Sequence, residues 1–305
     1  VSMKASVFAL FLLVSLPFCS GLRLHKGNDD AKRAFNAALL SMWNDGTYDQ
    51  LYRDWYGNTP ERFSDCIEHE DSLYYPAQTP KQGLLNNIFK TKKISMGYFG
   101  PIANLPSFLV EDGKIAGGFY PTLAEELVSR IAKAYGTAPI SISWVSVENA
   151  ADLFPFHDDG VYDVIFMSLF KEAMWSAPVA PRDELWNFSC GLLTSAPIRY
   201  YVCPSAVRKG LDLTSFETLD GPDTVVEFIG GGAQESVANA KFPNSQLVPV
   251  VGLDSLFADC ENGPADVIVG LPERISEVVV DYVVDSQPIA TYQNTGAAFR
   301  LDKKQ

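Results

Sequence analysis

Arg182 is one guanidinium in this 305-residue sequence that could hold a small anion. A guanidinium presents two parallel N–H donors that match a carboxylate, which suits capture in a cleft. The competing role is a surface ion pair with the adjacent Asp183 or Glu184. A second anion-binding feature is Gly230-Gly231-Gly232, which precedes a helical pattern from Ala233. Open amides at a helix N-terminus attract negative charge, although such a run also makes an ordinary tight turn. It is not a P-loop, because no Lys-Ser/Thr pair follows, and GxGxxG is missing. Ser168, just past a short apolar run, can donate to a ligand or satisfy its own strand end. Phe99 and Phe108 are the aromatics best placed to wall a cleft, with Tyr98, Tyr120 and Trp175 as further candidates, although most aromatics are simply core. No CxxC pair occurs and the histidines (His25, His69, His157) are scattered, so neither a metal nor another cofactor is expected.

The chain that must position these groups is acidic. It has 37 acidic and 24 basic side chains, a formal charge of −13, and 47 % apolar residues. That apolar content excludes wholesale disorder, and the lack of clustered Lys and Arg argues against a nucleic-acid partner. An anionic small molecule needs only one or two placed cations, so it stays open. Near the start, Lys4 precedes an apolar run over residues 5–19, followed by Ser20 and Gly21. This pattern is that of a cleavable export signal over residues 1–21, and the run falls short of the ~20 apolar residues of a membrane span. A secreted or periplasmic protein without stable membrane insertion is expected. Beyond Cys19, four cysteines (Cys66, Cys190, Cys203, Cys260) allow three disulfide pairings. Asn187-Phe188-Ser189 is an N-glycosylation sequon.

Periodicity then places the elements. Ala31, Phe35, Ala38, Leu39 and Met42 share one helix face that stops at Gly46, and Thr47 with Gln50 reads as a capping box for a second short helix closed by Gly57. Residues 58–93 carry Pro60, Pro76 and Pro80 and read as a linker with a weak helix over 83–89. Strands are expected at 94–98, 140–145 and 163–167, with a helix between the first two opened by a Thr122/Glu125 capping box. The grammar repeats, with strands at 225–229, 247–251, 267–269 and 297–299, helices from Ala233 and after Asp254, and a helix starting at Pro272. Alternating strands and helices predict an α/β chain with mainly parallel sheets in two lobes, 94–202 and 203–290, with a return to the first over 291–305.

In order and spacing, these motifs resemble the family 3 extracellular solute-binding proteins, the periplasmic receptors for amino acids and related solutes. Asp112-Gly113 through Gly118-Phe119 resembles the family's opening turn, and Leu123-Ala124-Glu125-Glu126-Leu127 its first helix. Tyr162-Asp163-Val164-Ile165 resembles the strand leading into the ligand site, Gly230 to Glu235 the turn that opens the second-lobe helix, and Ala265-Asp266-Val267 a later strand. The resemblance implies a two-lobed periplasmic-binding-protein-like fold of type II with hinged lobes. Arg182 would then bind the ligand's carboxylate, and Ser168, Gly231, Gly232, Ala233, Phe99 and Phe108 would complete the site. The chain departs from the pattern in two places. Residues 170–177 look inserted ahead of Arg182, and Gly270 and Leu271 stand where the family has an acid for the ligand's ammonium, with Glu273 two positions on.

Residues 28–57 are similar to the family's C-terminal helical signature, yet here they precede the first strand, and the chain stops where that signature normally begins. A circular permutation, with these helices packed on lobe 1, is expected; a tandem-array fragment and a domain swap are the alternatives. The function implied is non-catalytic capture of an amino acid or related organic acid, with an ABC-transporter permease or a receptor chain as partner. The alternatives are a cyclohexadienyl-dehydratase-like lyase with Glu273 as general acid, and a vestigial sensory or structural module.

Overall fold

The structure, a computed structural model, describes residues 29–57, 60, 74–76, 83–102, 106–170, 186–192, 197–270, 288–291 and 295–299. Helix α1 (Asp29–Asn44) buries Ala31, Ala34, Phe35, Ala38, Leu39 and Met42, the stripe its periodicity predicts. It breaks at Gly46, whose φ of 79° suits a residue without Cβ, and α2 (Thr47–Tyr56) begins at once. The expected Thr47/Gln50 capping box does not form. Gly46 occupies the cap position, and Asp45 Oδ1 instead accepts from the Thr47 amide and hydroxyl at 3.0 and 2.6 Å. After α3 (Gly83–Thr91) come β1 (Lys93–Phe99), a hairpin of β2 (Leu109–Glu111) and β3 (Lys114–Gly117), and α4 (Phe119–Ala134). Helix α4 starts three residues before Thr122. Its backbone docks on the preceding loop through Phe119 N–H to Pro106 O and Tyr120 N–H to Ser107 O. Gly118, at φ 115°, permits that approach, since a Cβ there would lie 2.7 Å from Phe108 Cα.

The first sheet is ordered β4-β1-β5-β12-β6, from β4 (Ser141–Val147), β5 (Val164–Phe170), β6 (Asn187–Phe188) and β12 (Thr295–Phe299). Strands β4, β1 and β5 are parallel; β12 and β6 run antiparallel to their neighbours. Strand β5 is buried on both faces. Val164 and Phe166 face the helices α1 and α4, while Ile165 and Leu169 pack with Leu153 and Phe154 of α5 (Leu153–Asp158) and with Trp186.

The second sheet is ordered β11-β7-β10-β8-β9, from β7 (Pro197–Val202), β8 (Val225–Ile229), β9 (Gln246–Val250), β10 (Val267–Gly270) and β11 (Pro288–Thr291). Helices α6 (Pro204–Lys209), α7 (Phe216–Leu219), α8 (Ala233–Lys241) and α9 (Leu253–Asn262) cover it. Alternate residues of β8 divide between the faces: Val226 and Phe228 join Ala233, Val237 and Ala238 of α8, and Ile229 joins Leu253 and Leu256 of α9. Strand β7 pairs with β10 and β11. The chain therefore leaves the first sheet before Pro197, upstream of the expected boundary after Val202, and returns between Thr291 and Thr295.

Each lobe is tied at the base of its sheet by an aspartate that precedes a buried strand. Asp163 Oδ2 accepts the Ser95 amide and hydroxyl, both at 2.9 Å. Asp266, fully buried, accepts from Val225 N–H at 2.9 Å, Ser205 Oγ at 2.5 Å and Lys209 Nζ at 2.5 Å. Cys203 and Cys260 form a disulfide joining the end of β7 to α9, and Cys190 is also disulfide-bonded.

The N-terminal helices lie on the first lobe. Phe35 packs on Phe166 and Phe299 with ring centroids 6.3 and 5.3 Å apart, and Tyr48, Tyr52 and Tyr56 surround Phe119 of α4. Asn36 Oδ1 accepts the buried Cys190 amide at 2.9 Å, and Tyr48 donates to Leu192 O at 2.5 Å. Arg130 of α4 clamps the α1–α2 corner through Asp45, Ser41 and Thr47, and its hydrogen bond holds the Asp45 carboxyl down at about 2. If this packing is integral, Phe35→Ala removes a buried ring from a shared core and lowers unfolding stability by about 3–5 kcal/mol in a urea titration. A merely appended helix pair would leave the midpoint unchanged.

The sequon is enclosed. Asn187 Nδ2 is buried without a hydrogen-bond partner, and Ser189, 3 % exposed, donates to Cys190 O. Folded protein recovered from a glycosylating host is therefore expected to carry no sugar at Asn187, checked as an unchanged mass for the 187-containing peptide after N-glycosidase treatment.

Candidate ligand-binding cleft

In α/β sheets, ligands gather beyond the carboxyl ends of the parallel strands, because helix N-termini and loop amides converge there. In lobe 1 those ends are Phe99 of β1, Val147 of β4 and the Ser168–Phe170 stretch of β5. They lead into a one-turn helix at Gly100–Ile102 and another at Ala150–Asp152, the latter capped by Asn149 Oδ1 accepting from Ala151 N–H at 3.0 Å. In lobe 2 the matching ends are Ile229 of β8, Val250 of β9 and Gly270 of β10.

The two sets of ends meet. A Cβ on Gly231, whose φ is +73°, would run into the backbone N and Cα of Ala151 across the cleft. A Cβ on Gly252, at the start of α9, would come within 3.3 Å of Pro101. One hydrophobic cluster is continuous from the lobe-1 helices to Ile229, Leu253, Leu256 and Ile268 of lobe 2. The lobes are thus described in a closed arrangement, with glycine at the closest approach.

The sequence-predicted residues fare differently in this geometry. Gly231, Gly232 and Ala233 do form the turn into α8, but Gly231 N–H is already bound at 2.6 Å by the Glu235 carboxylate of the same helix. The donors that turn leaves for an anion are first-turn amides such as those of Ala233 and Gln234, which have no intrahelical acceptor. Ser168 lies on β5 near its carboxyl end, as a cleft residue should. Phe99 ends β1 at the same edge and is buried. Phe108 does not wall the cleft: its ring is fully buried between Tyr98 and Tyr120, with centroids 4.6 and 5.2 Å away, and closes the lobe-1 core. Tyr98 and Tyr120 belong to that core too. Arg182, Glu273 and Trp175 lie outside the described residues.

Two residues went unnoticed in the sequence. Arg199 pairs directly with Gly270, so the position beside the end of β10 carries a cation, legible only once β7 is known to join this sheet. Glu227 interrupts the apolar run Val225-Val226-Glu227-Phe228-Ile229 and is 1 % exposed; an acid inside a buried strand was the available signal. Among the described residues no cluster of potential metal ligands occurs, and no helix is long and apolar enough to cross a membrane.

No family model matches the sequence, and no curated protein matches it. Solved structures do. The ancestral amino acid-binding protein AncCDT-1, a precursor of cyclohexadienyl dehydratase, matches at a TM-score of 0.55 and 20 % identity, over 71 % of this chain and 86 % of that one. The chain has the fold of the periplasmic amino-acid-binding proteins. An ABC-transporter binding component from Wolinella succinogenes, complexed with lysine, matches at a TM-score of 0.51 and 19 % identity, over 70 % and 84 % of the two chains. PfVFT1 from Plasmodium falciparum matches at 0.53 and 11 % identity but over 93 % of this chain and 99 % of that one. The two-lobed α/β fold implied by the motif order is thereby met, but the sheets are not mainly parallel as expected: two of the four strand pairings in each are antiparallel, where β12 and β6 join the first and β7 and β11 the second.

The contact between Gly231 and Ala151 can be tested directly. Gly231→Ala is expected to cost about 1–2 kcal/mol from its left-handed backbone alone and to push the lobes apart, seen as a larger radius of gyration in solution scattering. A variant as compact as the wild type would contradict the contact.

Proposed function

We propose that this is a secreted, non-catalytic binding protein that closes its two lobes on a small carboxylate-bearing solute, an amino acid or related organic acid. The observation that carries the proposal is the apposition of both lobes' strand ends, with Gly231 against Ala151 and Gly252 against Pro101. Arg182 would fork onto the carboxylate, helped by Ser168 and the amides of the Gly232-Ala233 turn, with Phe99 at the edge. Glu273 would face an ammonium if the ligand has one. Lysine bound by the Wolinella succinogenes protein supports the amino-acid class. The Cys203–Cys260 disulfide supports an oxidising, extracytoplasmic location and an export signal over residues 1–21. A lyase would depend on Glu273 as acid, and no described feature favours that chemistry over binding.

The same reading takes the N-terminal helices as the displaced C-terminal signature of a circularly permuted receptor. Their packing on β5, β12 and α4 supports it. A permease or receptor chain would be the downstream partner.

A thermal-shift screen of amino acids and organic acids is the decisive measurement. A ligand present at 100 times its Kd stabilises the native state by about 2.7 kcal/mol, a rise of several degrees. Arg182→Ala should abolish the rise without lowering the ligand-free melting point. No shift from any carboxylate at millimolar concentration, or turnover of prephenate or arogenate that Glu273→Gln removes, would overturn the proposal.

A further inference from the structure

Glu227 sits in the middle of the second sheet, in a row running Tyr201, Ile268, Glu227, Val248 across β7, β10, β8 and β9. Its neighbours Val226 and Phe228 point to α8, so Glu227 points to α9. It is 1 % exposed, and its Oε2 has no hydrogen-bond partner among the described residues. The group facing it from α9 is another acid, Asp259, adjacent to the disulfide-bonded Cys260. From β7 the titratable groups on this face are Tyr201 and, one row nearer the strand ends, Arg199; β9 and β10 present Val248 and Ile268. The Lys209 ammonium of α6 is bound to Asp266. A carboxyl group enclosed in a sheet and facing a second, part-buried acid ionises at a cost, and a buried carboxyl oxygen without a donor favours the protonated form.

We propose that Glu227 is held protonated where it faces Asp259, and that losing its proton loosens α9 and the lobe contact at its start. The mechanical link is short. Helix α9 begins at Gly252, which lies against Pro101 of lobe 1, and Leu253 and Leu256 of the same helix belong to the cluster that spans the lobes. Repulsion at Asp259 is therefore delivered to the element that seats one lobe on the other. The Cys203–Cys260 disulfide keeps the far end of α9 anchored to β7, so the movement falls on its N-terminal end. The device is independent of what the cleft binds.

Burial first, then the charge and hydrogen bonding of Asp259, push the Glu227 carboxyl from 4.5 up to about 7. A carboxyl raised in the folded state keeps its proton after the opened state has lost it. Its stabilisation is complete below about pH 4.5 and is lost progressively as pH rises to about 7. Amide hydrogen exchange, corrected for intrinsic rates, reads this directly. Protection factors of α9 and of the Gly100–Ile102 turn should fall by up to about tenfold per unit between pH 5 and pH 7 and level off above. In Glu227→Gln, which mimics the protonated acid, both should stay flat. Asp259→Asn should make the course shallower without abolishing it, because burial, the larger cause, remains. Identical pH courses in wild type and Glu227→Gln would overturn the proton site. A response in α9 without one at residues 100–102 would overturn its coupling to closure.

Discussion

The first lobe depends on a ring contact supplied from outside its own βα sequence. A parallel sheet must be covered on both faces, since neither can be left to water without exposing a run of Val, Ile and Phe. On one face of β5 the cover is α5 with Trp186, contributed by nearby chain. On the other, Phe166 and Phe299 meet Phe35 of α1, more than a hundred residues away in sequence. Everything that α1 brings follows from that docking: Asn36 fixes the Cys190 amide, Tyr48 fixes Leu192, and α2 delivers three tyrosines to Phe119. The segment that carries the chain toward the second lobe is thus held by the N-terminal helices.

The lobes solve the same problem with the same residue. In each, a strand buried on both faces is preceded by an aspartate that reaches sideways to an amide near the start of the neighbouring parallel strand: Asp163 to Ser95 in one, Asp266 to Val225 in the other. Strand register in a two-sided apolar sheet is poorly defined by side-chain alternation, because both faces are alike. A charged acceptor on one backbone N–H supplies the missing definition. Asp266, fully buried, needs Lys209 and Ser205 to offset its charge, whereas the part-buried Asp163 is satisfied by Ser95 alone among the described residues.

What could be read from sequence followed from periodicity. The strand at Val225–Ile229 and the stripe of α1 were legible because spacing alone sets them. Helix starts were misread at Thr47 and Thr122, where side-chain caps were expected. A glycine at positive φ opens each helix instead, and the chemistry of the hydroxyl is spent elsewhere. Phe108 was indistinguishable from a cleft aromatic until Gly118 brought α4 onto it. The lobe boundary was placed late because β7 is apolar in either sheet; only its pairing with β10 decides, and pairing is non-local.

Glycine at the closest approach also constrains what the cleft can hold. With Gly231 against Ala151 and Gly252 against Pro101, the lobes touch without anything between them at those two points. On the proposed function, a ligand would occupy space beside these contacts, and its binding energy need not create the closed state from nothing. It must only favour that state over an open one that the same contacts already oppose. The cost of this arrangement is selectivity by size, since a solute large enough to separate Gly231 from Ala151 forfeits the contacts that closure supplies. The Glu235 carboxylate on Gly231 N–H sharpens the point, because it takes one donor of the turn and leaves the first amides of α8 as the donors for an anion. On the proposed function, these two glycine contacts favour a solute small enough to be enclosed beside them.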